Sequence, residues 1–443
     1  MPKYTNSEKT VQFKFERMAR PESIDELKNI LSRAYKENRR IKVHGGSHTF
    51  SHIKKTADTL LDLSGIEELR SVIEVDRAKR TAVLGGGCVL ADAVDELYKV
   101  GLQFPMLGGW FTQTIGGAIA TSTHGTSFHH GTISDQVLEI EAILADGSIV
   151  QYKENDPEIK AWRTHLGQLG IVTKVKLQLE DLSFLQCSTE DFLNGDEGFT
   201  AMNREILAWN RVKTPYLNLL WLPYFGENGR ALLRRLNQAD VNRPNEKAVE
   251  NEEKAEQKSR NLAAKIAEDR ITNLLGRRFL NKPLKSKDFW SNAVAGSFLK
   301  DNGVRDRSFR LFCYSQYREP NKNQWLRQVL NVETAIDVKH FMDVYRDLSD
   351  LLRRHLAKGE VLNYPRFHFR FTPGSEKTLL GTNYGRNSFY FGSYVSAVAM
   401  HKKQIPLSIE IEKLLSRYGG RPHWGKYRYL RDDDSFYDTY GLS

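Results

Sequence analysis

An α+β architecture in two parts is what this sequence predicts, and three observations predict it. Short apolar runs alternate with amphipathic helical stretches over residues 11–180. Beyond about residue 181 the strand-like runs lengthen and alternate with charged helical stretches. The chain has 443 residues, more than one ordinary core holds, and its 40% hydrophobic content is enough to fill two.

The elements follow in order. Val11–Phe15 reads as a strand, and Ser23 opens a helix that places Ile24, Leu27, Ile30, Leu31 and Ala34 on one face. Ile41-Lys42-Val43 then runs into a glycine-rich segment, His44-Gly45-Gly46-Ser47-His48-Thr49-Phe50. Strands at Ile73–Asp76 and Thr81–Leu84 flank a turn, and a helix over Leu90–Val100 stops at Gly101. A second glycine-rich segment spans Gly108–Gly125, Gln136–Leu144 leads to the turn Ala145-Asp146-Gly147-Ser148, and Ile171–Leu177 is a further strand. In the second part, Tyr216–Leu222 is a long strand-like run. Residues 245–275 are dense in Glu, Lys, Ala and Arg, with Leu262, Ile266, Ile271, Leu274 and Leu275 at helical spacing. They read as a solvated helical insertion within a charged stretch at about 240–300; a membrane-surface or partner helix is the sharper alternative. The expected division is 1–180, rejoined by about 415–443, and 181–414.

Composition excludes several classes. No window approaches eighteen uncharged apolar residues, so no transmembrane segment is expected, and the first nine residues lack the apolar core of a secretory signal. A cytoplasmic location is the expectation. Cys88, Cys187 and Cys313 lie far apart and read as buried thiols rather than disulfide or metal ligands. The net charge of +10 comes from basic residues interleaved with acids, a poor nucleic-acid footprint that equally suits an anionic cofactor. No protein partner is predicted.

The two glycine-rich segments imply a bound, phosphate-bearing cofactor, because glycine lets backbone N–H groups turn toward an anion. No Gly-Lys-Ser/Thr triplet follows either segment, and neither reads G-x-G-x-x-G between a strand and a helix. The nucleotide is therefore held neither by a P-loop nor by a Rossmann turn.

These segments, with Arg421-Pro422-His423-Trp424-Gly425-Lys426 near the C-terminus, resemble the vanillyl-alcohol-oxidase type of flavoprotein, and within it the sugar-lactone and alditol oxidases. The resemblance implies an FAD-binding domain of the p-cresol methylhydroxylase type joined to a substrate domain with an antiparallel sheet and flanking helices. It assigns FAD contact to Val43, His44, Gly45, Gly46, Ser47, His48 and Thr49. In the second segment it assigns Gly108, Gly109, Thr114, Gly117, Thr121, Ser122, Thr123 and His124, with Val172 beyond. His48 is the expected covalent link to the flavin. No metal is expected: His124, His129 and His130 have no carboxylate at ligand spacing in the sequence.

In Arg366-Phe367-His368-Phe369-Arg370-Phe371-Thr372 the basic residues and the phenylalanines alternate at strand period. Lactone oxidases carry Glu-x-Arg-Phe-Thr here, so Arg370 matches their active-site arginine while His368 stands where they have glutamate. Lys426 matches the lysine that reaches the reacting carbon, and His423 and Trp424 support it. The expected catalytic set is thus Lys426, Arg370 and His368. Gly109 replaces a substrate-binding serine of the alditol oxidases and is followed by Trp110-Phe111, which points to a less polar pocket. Gly108 matches the glycine of relatives that use oxygen.

The implied activity is oxidation of a CH–OH group in a sugar lactone, alditol or related alcohol, with hydride passing to FAD and O2 giving H2O2. The alternatives are a dehydrogenase with another electron acceptor, or a flavin-binding protein with a diverged site for a bulkier natural-product alcohol. The chain ends soon after Tyr440, where relatives carry an Asp-Pro-x-Gly-x-Phe tail.

Overall fold

The structure is a computed structural model that describes residues 1–211 except Glu8, then 213–225, 228–239, 302–312, 329–362, 366–396 and 401–430, with Asn292, Ala295, Gly296, Phe298 and Leu299 between. The charged insertion expected at 240–300, Cys313 and the last residues lie outside this set, those five positions apart.

The first part is built on two sheets. Three parallel strands, β1 (Arg17–Ala19), β2 (Ile41–His44) and β3 (Thr59–Asp62), lie in the order β1-β3-β2. Helix α1 (Ile24–Lys36) connects β1 to β2, begins at Ser23, whose side chain accepts from Glu26 N–H, and buries Leu27, Leu31 and Ala34. The second sheet is antiparallel: β4 (Val72–Asp76), β5 (Thr81–Gly85), β6 (Val137–Ile143), β7 (Ile149–Lys153) and β8 (Ile171–Gln178) in the order β7-β6-β8-β5-β4. Helices α2 (Leu90–Lys99) and α3 (Ile115–Ala120) supply its cover: Leu90, Val94 and Leu97 of α2 share a core with Ile115, Ala118 and Ile119 of α3.

The second part is an eight-stranded antiparallel sheet. Its strands are β9 (Phe184–Phe192), β10 (Tyr216–Leu222), β11 (Arg230–Ala239), β12 (Arg305–Arg307), β13 (Val329–Asp337), β14 (Phe367–Thr372), β15 (Ser388–Ser396) and β16 (Arg421–Pro422), ordered β12-β9-β11-β10-β14-β15-β13-β16. Helices α4 (Gly195–Leu207), α5 (Phe341–Ala357) and α6 (His401–Arg417) cover one face. That face takes Phe367, Phe369 and Phe371 of β14, each fully buried, so His368 and Arg370 are left on the other. The alternation read from the sequence is therefore real, and β14 is an interior strand rather than an edge.

The C-terminal connection departs from expectation. Leu407, Ile411, Leu414 and Leu415 of α6 belong to the core of the second part, and Arg421–Pro422 pairs with β13. The chain returns to the first part at His423, whose ring lies 5.4 Å from that of His124, and at Gly425, whose carbonyl accepts from Phe50 N–H at 2.8 Å. Among the described residues no helix is long and apolar enough to cross a membrane, and Cys88 and Cys187 are buried free thiols.

Candidate active site

A cavity of about 400 Å³ runs along the first part and opens against the far face of the eight-stranded sheet. Its walls begin with the loop after β2. The strand ends at His44, so Gly45, Gly46 and Ser47 lie beyond the ladder, and Ser47 takes φ +63°. This loop packs on the second glycine segment with no room for a side chain: a Cβ on Gly46 would sit 2.3 Å from the Thr112 carbonyl oxygen, and one on Gly45 2.6 Å from Thr114 Oγ1. Gly116 also packs on Gly86, where a Cβ would lie 2.9 Å from the Gly86 carbonyl oxygen, and it donates its N–H to that carbonyl at 2.8 Å. Gly86 and Gly87, not singled out from the sequence although visible as a triplet after β5, also line the cavity. Gly46→Ala is expected to force these loops apart at about 1–3 kcal/mol; thermal unfolding and flavin content after purification both read the effect.

Every expected FAD contact borders the cavity except Ser122. That residue is buried behind the wall, where its hydroxyl donates to Thr132 Oγ1 at 3.0 Å. His48 lies between partners: Nε2 is 2.6 Å from Thr112 Oγ1, Nδ1 is 3.3 Å from Ser7 Oγ, and its ring stacks on Trp110 with centroids 5.7 Å apart. Trp110 is on the wall, but Phe111 is not; its side chain is in the core of the first part, so only one of the two aromatics reduces the polarity of the pocket.

The cavity is polar where it meets the sheet, and this end centres on a residue the sequence did not announce. Glu333 of β13 is 3% exposed. Its carboxylate is 3.4 Å from His124 Nε2, 3.8 Å from Arg370 Nη1 and 3.8 Å from Lys426 Nζ. Burial alone would raise its pKa, but the fields of His124, Lys426 and Arg370 outweigh that and hold it well below the ordinary carboxylate range. Its backbone matters too: the Glu333 carbonyl accepts from His423 N–H at 2.9 Å, and the His423 carbonyl accepts from Lys426 N–H at 3.0 Å. Trp424 Nε1 donates to the Leu380 carbonyl at 2.8 Å. The His-Trp-Gly-Lys motif is thus a turn fastened to β13, which delivers Lys426 to the cavity. Burial pushes the His423 imidazole down to about 3, so it stands neutral behind the lysine.

Asn331, two residues before Glu333 and on the same side of β13, also lines the cavity. Its side-chain oxygen is buried and has no hydrogen-bond partner among the described residues. Neither residue carries a local sequence signal, since the strand Val329–Asp337 reads only as a mixed polar and apolar run.

His368 is placed differently from the expectation. It shares a face with Arg370 but does not border the cavity; its ring lies 5.9 Å from Phe298 and 5.8 Å from Tyr394. Burial, with Arg366 and Arg370 beside it, holds its pKa well below the usual histidine value. His129 and His130 are also away from the cavity, His130 reaching Glu180 at 3.4 Å. The ground for setting metal aside changes as well. Glu333 does come within ligand distance of His124 and His423 once the chain is folded, the three atoms lying within 4.8 Å of one another. Its charge is already shared with Lys426 and Arg370.

A dinucleotide fits these walls. The cavity is long, bordered by glycines at both loops where side chains are sterically forbidden, and has His48 and Trp110 near the polar end. Fold and site together define an FAD-dependent oxidoreductase acting on a CH–OH group. Comparison with known proteins agrees: residues 15–153 match the family described as FAD binding domain, and residues 185–441 match the family described as D-arabinono-1,4-lactone oxidase. The chain belongs to the D-arabinono-1,4-lactone oxidase family. Relatives include L-gulonolactone oxidase of Bos taurus, 26% identical over 92% of this chain and 84% of the relative. L-gulono-1,4-lactone dehydrogenase of Mycobacterium tuberculosis is 24% identical over 93% of this chain and 86% of the relative. Among solved structures, cholesterol oxidase from Brevibacterium sterolicum shares the fold at TM-score 0.72 and 16% identity, covering 96% of this chain and 86% of its own.

Proposed function

We propose that the protein oxidises a ring CH–OH of a sugar 1,4-lactone to a carbonyl, and that O2 takes up the two electrons and two protons as H2O2. The observation that carries this reading is the hydrogen bond from Phe50 N–H to the Gly425 carbonyl, which fixes the Lys426 loop against the loop of His48. Bound FAD supplies the hydride acceptor. The chain's own residues do the rest: the Lys426 ammonium, whose charge Glu333 shares, donates to the substrate hydroxyl oxygen and orients it as its proton leaves, and the Arg370 guanidinium would face the negative charge that hydride leaves on the flavin. Glu333 holds both cations in place. His368, one step behind, positions Arg370 and does not reach the reacting atoms. The remaining expected contacts on the wall, Val43 through Thr49, Gly108, Gly109, Thr114, Gly117, Thr121, Thr123, His124 and Val172, take the length of the cofactor.

Oxygen as acceptor is supported by Gly108, which leaves the cavity wall bare at that point; a Cβ there would lie 3.0 Å from the Thr123 methyl. A relative named as a dehydrogenase keeps the other acceptor class in view. The two are separated by turnover in air against turnover with an artificial dye: one peroxide per product in air supports the oxidase, and turnover with dye alone refutes it.

His48 is proposed as the covalent tether, through the imidazole nitrogen whose contact to Ser7 is the longer of its two. Acid precipitation of wild type should leave flavin colour in the pellet, and His48→Ala should release it to the supernatant. Colour that stays with the variant pellet removes His48 from this role. A cytoplasmic setting belongs to the same proposal, and buried unpaired thiols suit a reducing compartment.

A further inference from the structure

The glycine loop offers backbone dipoles to the cofactor, yet FAD brings two phosphate charges into a partly buried groove. The cations at the polar end, Arg370 and Lys426, are engaged with Glu333 and lie at the end with His48. At the foot of the loop, however, Lys54 borders the same cavity and is only 8% exposed. Its ammonium sits 4.2 Å from the centroid of the Tyr4 ring, and among the described residues no carboxylate comes within 4.0 Å of it. The neighbouring carboxylate on the wall, Asp62, is occupied elsewhere, accepting from Ser64 N–H at 2.9 Å and lying 4.0 Å from Arg20. His44, the residue that leads into Gly45, also borders the cavity, and its Nδ1 is buried without a hydrogen-bond partner among the described residues.

A buried ammonium with no counter-anion is costly, and the cost falls away if an anion arrives. Burial pushes the Lys54 amine down to about 7, and Lys54 in turn disfavours the charged form of His44 after burial itself. Both groups are thus poised to gain from a negative ligand beside Gly45 and Gly46.

We propose that Lys54 is a diphosphate-binding residue, whose ammonium faces the FAD phosphates from the foot of the glycine loop. The pairing is charge-assisted and acts on the phosphates alone, leaving the flavin ring to the other end of the cavity. Lys55, the exposed neighbour of Lys54, does not border the cavity and is the control.

The test separates phosphate from ring. In the full-length His48→Ala protein, FAD and riboflavin are titrated separately by flavin fluorescence. Adding Lys54→Met is expected to weaken FAD by about 10- to 100-fold while changing riboflavin, which has no phosphate, by less than about twofold. Lys54→Arg should recover most of the FAD affinity, and Lys55→Gln should leave both ligands unchanged. Equal losses for the two ligands, or unchanged FAD affinity, overturns the assignment. If the double variant does not fold, Lys54→Met with His48 intact is prepared over a graded series of FAD concentrations and flavin per chain is measured. Loading at the wild-type FAD concentration then overturns it, and loading only at higher FAD supports it.

Discussion

Lys426→Ala is expected to retain its flavin and to lose about two to four powers of ten in kcat, the usual worth of a side chain positioned to assist a proton transfer. The expectation follows from how the residue is held. Its turn is fastened by backbone hydrogen bonds at His423 and Glu333 and by the Phe50 to Gly425 bond, none of which uses the lysine side chain. Removing that side chain therefore leaves the loop in place, and the loss should fall mainly on kcat, with a smaller drop in thermal stability because Glu333 keeps Arg370 but loses one of its cationic partners. Unchanged turnover with a lactone that wild type oxidises would remove Lys426 from the mechanism.

Glu333→Gln is expected to have the largest effect on the fold. The carboxylate is buried among Arg370, Lys426 and His124, so its loss leaves cationic groups without their shared anion, at about 3–5 kcal/mol for breaking such a buried cluster. The pH dependence has a definite sign. The folded carboxyl titrates well below its unfolded range, so its contribution is complete above that unfolded range, about pH 4.3, and is lost as pH falls toward the depressed folded value. Wild type should therefore lose thermal stability on acidification in this window, and Glu333→Gln should start lower and fall less. A variant as stable as wild type, with the same acid dependence, would show that the cluster is not what holds this end of the site.

Where the sequence was readable, local chemistry decided the outcome. Ser23 caps α1, Gly101 follows α2 at φ +72°, and β14 alternates phenylalanine with basic residues, each a short-range signal that the tertiary structure keeps. The glycine loops were legible for the same reason, because a Cβ would collide with the Thr114 side chain at Gly45 and with backbone at Gly46 and Gly116. What escaped was long-range. Glu333 lies more than two hundred residues from His124 and about ninety from Lys426 along the chain, and nothing in Asn331-Val332-Glu333 distinguishes it from any polar strand. Lys54 was hidden similarly, since one lysine beside another in Lys54-Lys55 reads as solvated until Tyr4 is folded over it. His368 and Ser122 were misplaced because motif position says which strand or loop a residue occupies, and not whether its side chain reaches the cavity wall.

The central claim, a lactone CH–OH oxidised at this cavity, is tested most directly by mixing the purified protein with D-arabinono-1,4-lactone or L-gulono-1,4-lactone in the absence of air and following the visible flavin absorbance. The flavin should bleach with at least one lactone and recover on admitting air, with peroxide formed. Flavin that stays oxidised with both lactones, in protein whose FAD content is full, would contradict the proposed reaction.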